Sequence, residues 1–200
     1  MNSKNLILTA ALGSFLFAFT PITGTTKLKV KPEASKVEWY AEKVTGKHNG
    51  DVQLKSGTLE VENDQIVGGN FVIDMTTINT TDISGEYKDK LDGHLKSADF
   101  FDVDNHEVAT YTITATKVLS DHPVYNTEIT GDLTLKGKTL AISFPAKVEV
   151  RDDKIAAFGE MTIDRTKFDV KYGSASFFDS LGDKAIMDEF VMKISLGAKM

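Results

Sequence analysis

The chain has 200 residues, 41% of them hydrophobic, a formal charge of −6 and no cysteine. That length and composition suit one domain with a sizeable core. The missing cysteine excludes disulfides, zinc–thiolate centres, cysteine nucleophiles and a lipid-modified cysteine anchor, and the acidic balance, with no basic stripe, excludes a general attraction to nucleic acid.

The first element in chain order reads as a leader. Lys4 precedes an unbroken apolar run from Leu6 to Phe19. Such a run has signal-peptide length and is too short to cross a bilayer as a helix. The reading is a signal peptide over residues 1–23, cleaved between Ala18 and Thr26, and one domain over residues 27–200. An uncleaved anchor is the alternative. The leader carries only Lys4, so its removal leaves a charge of −7. An exported protein, periplasmic or secreted, is expected, with no stable membrane span after cleavage.

A series of alternating runs follows. Val37, Trp39 and Ala41 share one face, with Glu38 and Glu42 opposite. Strict alternation marks a half-buried strand. Leu59 and Val61 obey the same rule, and so do Phe71, Ile73 and Met75. Residues 82–95 break it and predict a short helix with Ile83, Tyr87, Leu91 and Leu95 on one side. Next, Ala109, Tyr111, Ile113 and Ala115 alternate with threonines, which favour strands and tolerate water. The second half repeats the pattern. Ile129, Leu133 and Leu135 form one inward set, and Leu140, Ile142, Phe144 and Ala146 another. Met161, Ile163 and Arg165 share a face, as do Phe190, Met192, Ile194 and Leu196. Pro145 suggests a strand edge or bulge. Asn63-Asp64, Gly68-Gly69, Lys136-Gly137 and Asp152-Asp153 read as turns. Ser176–Asp183 suggests a second short helical turn. Eight or nine strands at regular spacing make an all-β sandwich or barrel, antiparallel with one wet face.

Candidate chemistry concentrates around Gly93–Glu107, GHLKSADFFDVDNHE, where histidines and carboxylates surround Phe100-Phe101. In an extended chain only one of these phenylalanines faces inward, and Phe101 is assigned that place. The other then packs under the helix. The histidines are His48, His94, His106 and His122, and no two have zinc-type spacing. A metal-dependent enzyme using His48, His94 and nearby aspartates stays open. There is no nucleophile elbow around Ser174 or Ser176. Arg165 is one of only two arginines. If it faces inward it needs a partner: an aspartate from another strand or loop, or the head group of a ligand.

Four motifs occur in order: Gly46-Lys47-His48-Asn49-Gly50; His94-Leu95-Lys96-Ser97-Ala98-Asp99-Phe100-Phe101; Asp132-Leu133-Thr134-Leu135-Lys136-Gly137; and Ile163-Asp164-Arg165 before Phe168. Together they resemble the YceI-like family of exported proteins, over about Lys27 to Ala198. The resemblance implies an eight-stranded antiparallel, lipocalin-like barrel with one or two short helices. It also implies an isoprenoid lipid as ligand, either a polyprenyl pyrophosphate or an isoprenoid quinone, held by a carrier or sequestering protein with no catalytic residue and no cofactor. The interior candidates are then Trp39, Phe71, Ile73, Met75, Phe101, Tyr111, Ile113, Leu133, Leu135, Ile142, Phe144, Met161, Ile163, Met192 and Ile194. His48, His94, Asp99 and Arg165 are candidates for the rim or head group. Taken alone, the alternating residues fit a hollow barrel and a solid core equally. A barrel serving only as a structural or interaction scaffold is therefore also open.

Overall fold

A computed structural model describes residues 24–151 and 154–199. The leader expected over residues 1–23, and the turn expected at Asp152-Asp153, lie outside them. Among the described residues the strands are β1 (Thr26–Val30), β2 (Lys36–Lys43), β3 (Gly46–Glu62), β4 (Gln65–Thr80), β5 (Val108–Val118), β6 (Thr127–Leu135), β7 (Lys138–Arg151), β8 (Lys154–Asp164) and β9 (Ile186–Lys199). One helix, α1 (Glu86–Lys96), joins β4 to β5.

All pairings are antiparallel. The strand order β3-β2-β9-β8-β7-β6-β5-β4 closes where β4 pairs back onto β3. This is a closed eight-stranded barrel, the size at which the interior holds either side chains or one small ligand. The ninth segment does not enlarge it. β1 lies against β3 at Thr26–Lys29 and against β9 at Lys29–Val30, before β2 takes up the place between those strands.

The alternation sets which residues face inward. Along β8, Ile155, Met161 and Ile163 are buried while Thr162 is exposed. Two hairpins are closed by paired left-handed residues, Asn63-Asp64 (φ 49° and 60°) and Lys136-Gly137 (φ 48° and 74°). That geometry matches the twist of the flanking strands.

Gly68-Gly69 is not a turn. Both residues lie inside β4, opposite Glu60 and Leu59. A Cβ on Gly69 would sit 2.7 Å from the Thr58 carbonyl oxygen, so here glycine marks close backbone approach. Pro145 lies in β7 opposite Glu128 of β6, one residue before pairing with β8 begins at Ala146–Gly159. The missing N–H therefore falls on a stretch bonded to one neighbour only.

The helix also differs from expectation. It starts at Glu86, after Gly85 at φ 65°. Tyr87 is 79% exposed. The face toward the barrel runs through Asp92 and Leu95, because Asp92 accepts hydrogen bonds from Thr80 N (2.8 Å) and Thr80 Oγ1 (2.6 Å). In residues 176–183 the only helical piece is a 3-10 turn that begins at Gly182 and ends at Lys184.

The strand directions put α1, the loop 97–107, the Lys136-Gly137 turn and the segment 165–185 at one end of the barrel. The Asn63-Asp64 turn and the loop 119–126 lie at the other.

Candidate functional site

The inward faces enclose a cavity of about 170 Å³. Its walls come from every strand of the barrel and are almost wholly apolar. A void of this size is not what a solidly packed core leaves. Fourteen of the fifteen interior candidates border the cavity. Ile142 does not. It packs against the core from a half-buried position, and its carbonyl accepts the Tyr111 hydroxyl hydrogen bond at 3.0 Å.

Phe100 and Phe101 both border the cavity, against the assignment of one inside and one under the helix. The chain is not extended here. Phe100 N donates to Ser97 O, Phe101 N to Leu95 O and Val103 N to Lys96 O. In a turn of this kind adjacent side chains can share a side. The two rings meet edge to face with centroids 4.9 Å apart. Val52 and Leu54 on β3 also line the cavity. The alternation in Asp51-Val52-Gln53-Leu54 is the signal that marks them.

Among the described residues three polar side chains border the space: Trp39, Tyr111 and Arg165. Burial pushes the Tyr111 phenol pKa up, with Asp132 adding to it. Arg165 does not continue β8. It begins a 3-10 turn (Arg165–Phe168), with Asp164 capping through its bond from Thr166 N at 3.0 Å. The guanidinium is 2% exposed. Nε donates to Met187 O (3.0 Å), Nη1 to Val170 O (2.7 Å) and Tyr172 O (2.9 Å), and Nη2 to Ile186 O (2.9 Å). Asp188 lies 3.6 Å from Nη2. So the aspartate partner expected from another strand exists, and four carbonyls join it. Burial lowers the Arg165 pKa, while Asp188 and Asp164 oppose that. The result ties the segment 170–172 to the start of β9.

The other rim candidates do not converge on one point. His94, on α1, packs between Tyr172 (centroids 4.4 Å) and Phe100 (5.5 Å). Phe100 in turn lies under Arg165, 5.6 Å from its guanidinium carbon. These residues close the helical end. His48 instead faces Asp82, with Nδ1 to Oδ2 at 2.9 Å, and Asn49 N donates to the same carboxylate at 3.1 Å. Burial would raise the Asp82 pKa, but the bonds from His48 and Asn49 outweigh it and hold the carboxyl below its usual range. This clasp fixes β3 to the segment leading into α1. Asp99 is exposed. Among the described residues no three His, Asp or Glu side chains are placed to share a metal ion, which is the convergence that the metal-enzyme alternative requires.

A closed antiparallel barrel of eight strands around a cavity with almost wholly apolar walls defines a lipocalin-like fold. The family model described as the YceI-like domain matches residues 28–198, and the chain belongs to that family. Similar curated proteins include Protein YceI of Escherichia coli and of Shigella flexneri, each 40% identical over 72 residues. That stretch is 36% of this chain and 35% of each relative, so the alignment spans about a third of the length of the curated relatives. Among solved structures, BcnA of Burkholderia cenocepacia is similar with a TM-score of 0.65 at 21% identity, covering 85% of this chain and 99% of that one. A polyisoprenoid-binding domain from Saccharophagus degradans is similar with a TM-score of 0.58 at 15% identity, covering 86% and 97%. At those identities the likeness concerns the fold.

Proposed function

We propose that the protein binds an isoprenoid lipid in the barrel interior and serves as an exported carrier or sequestering protein. The observation that carries this reading is the cavity: its walls are almost wholly apolar, and the one charged side chain that borders it among the described residues, Arg165, is engaged by backbone carbonyls and Asp188. A linear polyprene needs such a dry space. Its transfer from water is favourable by about 25 cal/mol per Å² of apolar surface, or about 0.8 kcal/mol per methylene. A few five-carbon units therefore reach the roughly 8 kcal/mol of a micromolar complex, even after the cost of association. Met75, Met161 and Met192 border the cavity, and thioether side chains adapt to a flexible chain. Membership of the YceI-like family and the fold shared with a polyisoprenoid-binding domain support the same ligand class. Export is read from Lys4 and the apolar run after it.

The chain has one tryptophan, and Trp39 borders the cavity. Adding a benzoquinone with a four-unit prenyl tail should quench its fluorescence saturably, at one ligand per chain with micromolar or tighter affinity. Linear, non-saturating quenching equal to that by a tail-less quinone contradicts interior binding.

A further inference from the structure

Of the three polar side chains around the cavity, two have their donors occupied by the protein. The Tyr111 hydroxyl donates to Ile142 O at 3.0 Å. Burial raises its pKa, so the hydroxyl keeps its proton. The Arg165 guanidinium donates to four backbone carbonyls and faces Asp188. Trp39 differs. The residue is 8% exposed, and its Nε1 is buried with no acceptor among the described residues. β2 sets Trp39 between Gly50 of β3 and Met192 of β9. The indole lies over Gly50, whose Cβ, if present, would be 2.6 Å from Cζ2 and 2.7 Å from Cε2. The missing side chain at Gly50 makes room for this part of the ring.

An indole N–H can only donate, and a buried donor left unpaired is costly. A bound ligand supplies the acceptor only if it carries an oxygen into the barrel. That oxygen must be neutral. A diphosphate would bring its charges between apolar walls, where the Arg165 guanidinium is already engaged, and an uncompensated buried charge is strongly disfavoured.

We propose that Trp39 is the polar anchor of the cavity: its indole N–H takes a neutral acceptor oxygen, such as a quinone carbonyl, and sets a preference for isoprenoids with such a head over isoprenoid diphosphates. This rests on the reading that the cavity holds an isoprenoid, and it names the residue that chooses among them.

The test uses three probes of matched tail length: a benzoquinone with a four-unit prenyl tail, the twenty-carbon polyprene hydrocarbon with no head, and geranylgeranyl diphosphate. In the wild-type chain the quinone should bind more tightly than either of the others. Trp39→Phe keeps an aromatic wall and deletes the donor. It should weaken quinone binding about tenfold more than hydrocarbon binding, the size of one buried hydrogen bond, both read by calorimetry because the variant has no tryptophan to quench. The single tryptophan also gives one indole N–H cross-peak in a nitrogen–proton spectrum, which should move downfield with the quinone and not with the hydrocarbon. This readout needs no variant to fold. Equal weakening for quinone and hydrocarbon, an unmoved cross-peak in the quinone complex, or tighter binding of the diphosphate each overturns the anchor. If the wild-type chain binds none of the probes, the isoprenoid reading itself fails, and the anchor with it. If the hydrocarbon binds as tightly as the quinone, the isoprenoid reading stands and only the anchor falls.

Discussion

Arg165→Met should lower unfolding stability by about 3 to 5 kcal/mol, the range for breaking a buried charge network by removing one partner. The variant keeps similar volume and removes every donor. It strands the carbonyls of Val170, Tyr172, Ile186 and Met187, and it leaves Asp188 half-buried without its counter-charge. Arg165→Lys should recover little, because one ammonium on a flexible stem cannot reach four acceptors that a planar fork reaches together. Denaturant unfolding followed by circular dichroism measures the loss, with the slope checked for an unchanged native state. The protein that remains folded should still bind the prenylated benzoquinone, since the guanidinium donors are taken by backbone carbonyls and not left for a head group. Unchanged stability with lost affinity would instead make Arg165 a head-group contact.

Gly50→Ala should cost at least about 3 kcal/mol, at or above the upper end of ordinary overpacking. A Cβ there would fall 2.0 Å from the Asn79 carbonyl oxygen and 2.6 Å from the Trp39 ring. The first neighbour is backbone on the partner strand, so β3 and β4 must move apart near Gly50–Thr80. The second is the wall of the cavity. Gly46, at the other end of the same short motif, gives the control. A Cβ on it would meet only Lys43 Cε at 3.6 Å, and the residue is exposed. Gly46→Ala should change stability by less than about 0.5 kcal/mol, as for surface sites generally. Thermal unfolding of the two variants side by side checks both values. Equal effects at Gly46 and Gly50 contradict the packing account.

The contrast within that motif shows where sequence reading succeeds and where it stops. Period-two alternation places Trp39, Tyr111, Leu133 and Met161 on inward faces without any coordinates, because a pleated strand leaves no other choice. Alternation loses its force once the chain leaves the extended state: it assigns Phe100 and Phe101 to two environments, whereas the turn after α1 brings both to the cavity. Glycine is ambiguous for a related reason. Gly68-Gly69 carries the composition of a turn, yet cross-strand packing holds it inside β4. The partners of Arg165 were legible only in part. An aspartate could be expected from charge balance, but backbone carbonyls at residues 170, 172, 186 and 187 carry no side-chain signal. The unpartnered Trp39 N–H is the extreme case, since no pattern of residue types records which donors a fold leaves unmatched. His48 had a nameable carboxylate partner, but Asp82 lies 34 positions away and is brought close only by barrel closure.

The central claim is that the barrel holds an isoprenoid lipid. Mass spectrometry of the purified, undenatured protein, followed by solvent extraction of whatever it carries, tests it most directly. The account predicts one bound molecule per chain, released into organic solvent, with a polyprenyl tail and a neutral oxygen-bearing head. A protein that carries no such molecule, and whose mass is unchanged by incubation with prenylated quinones, contradicts it.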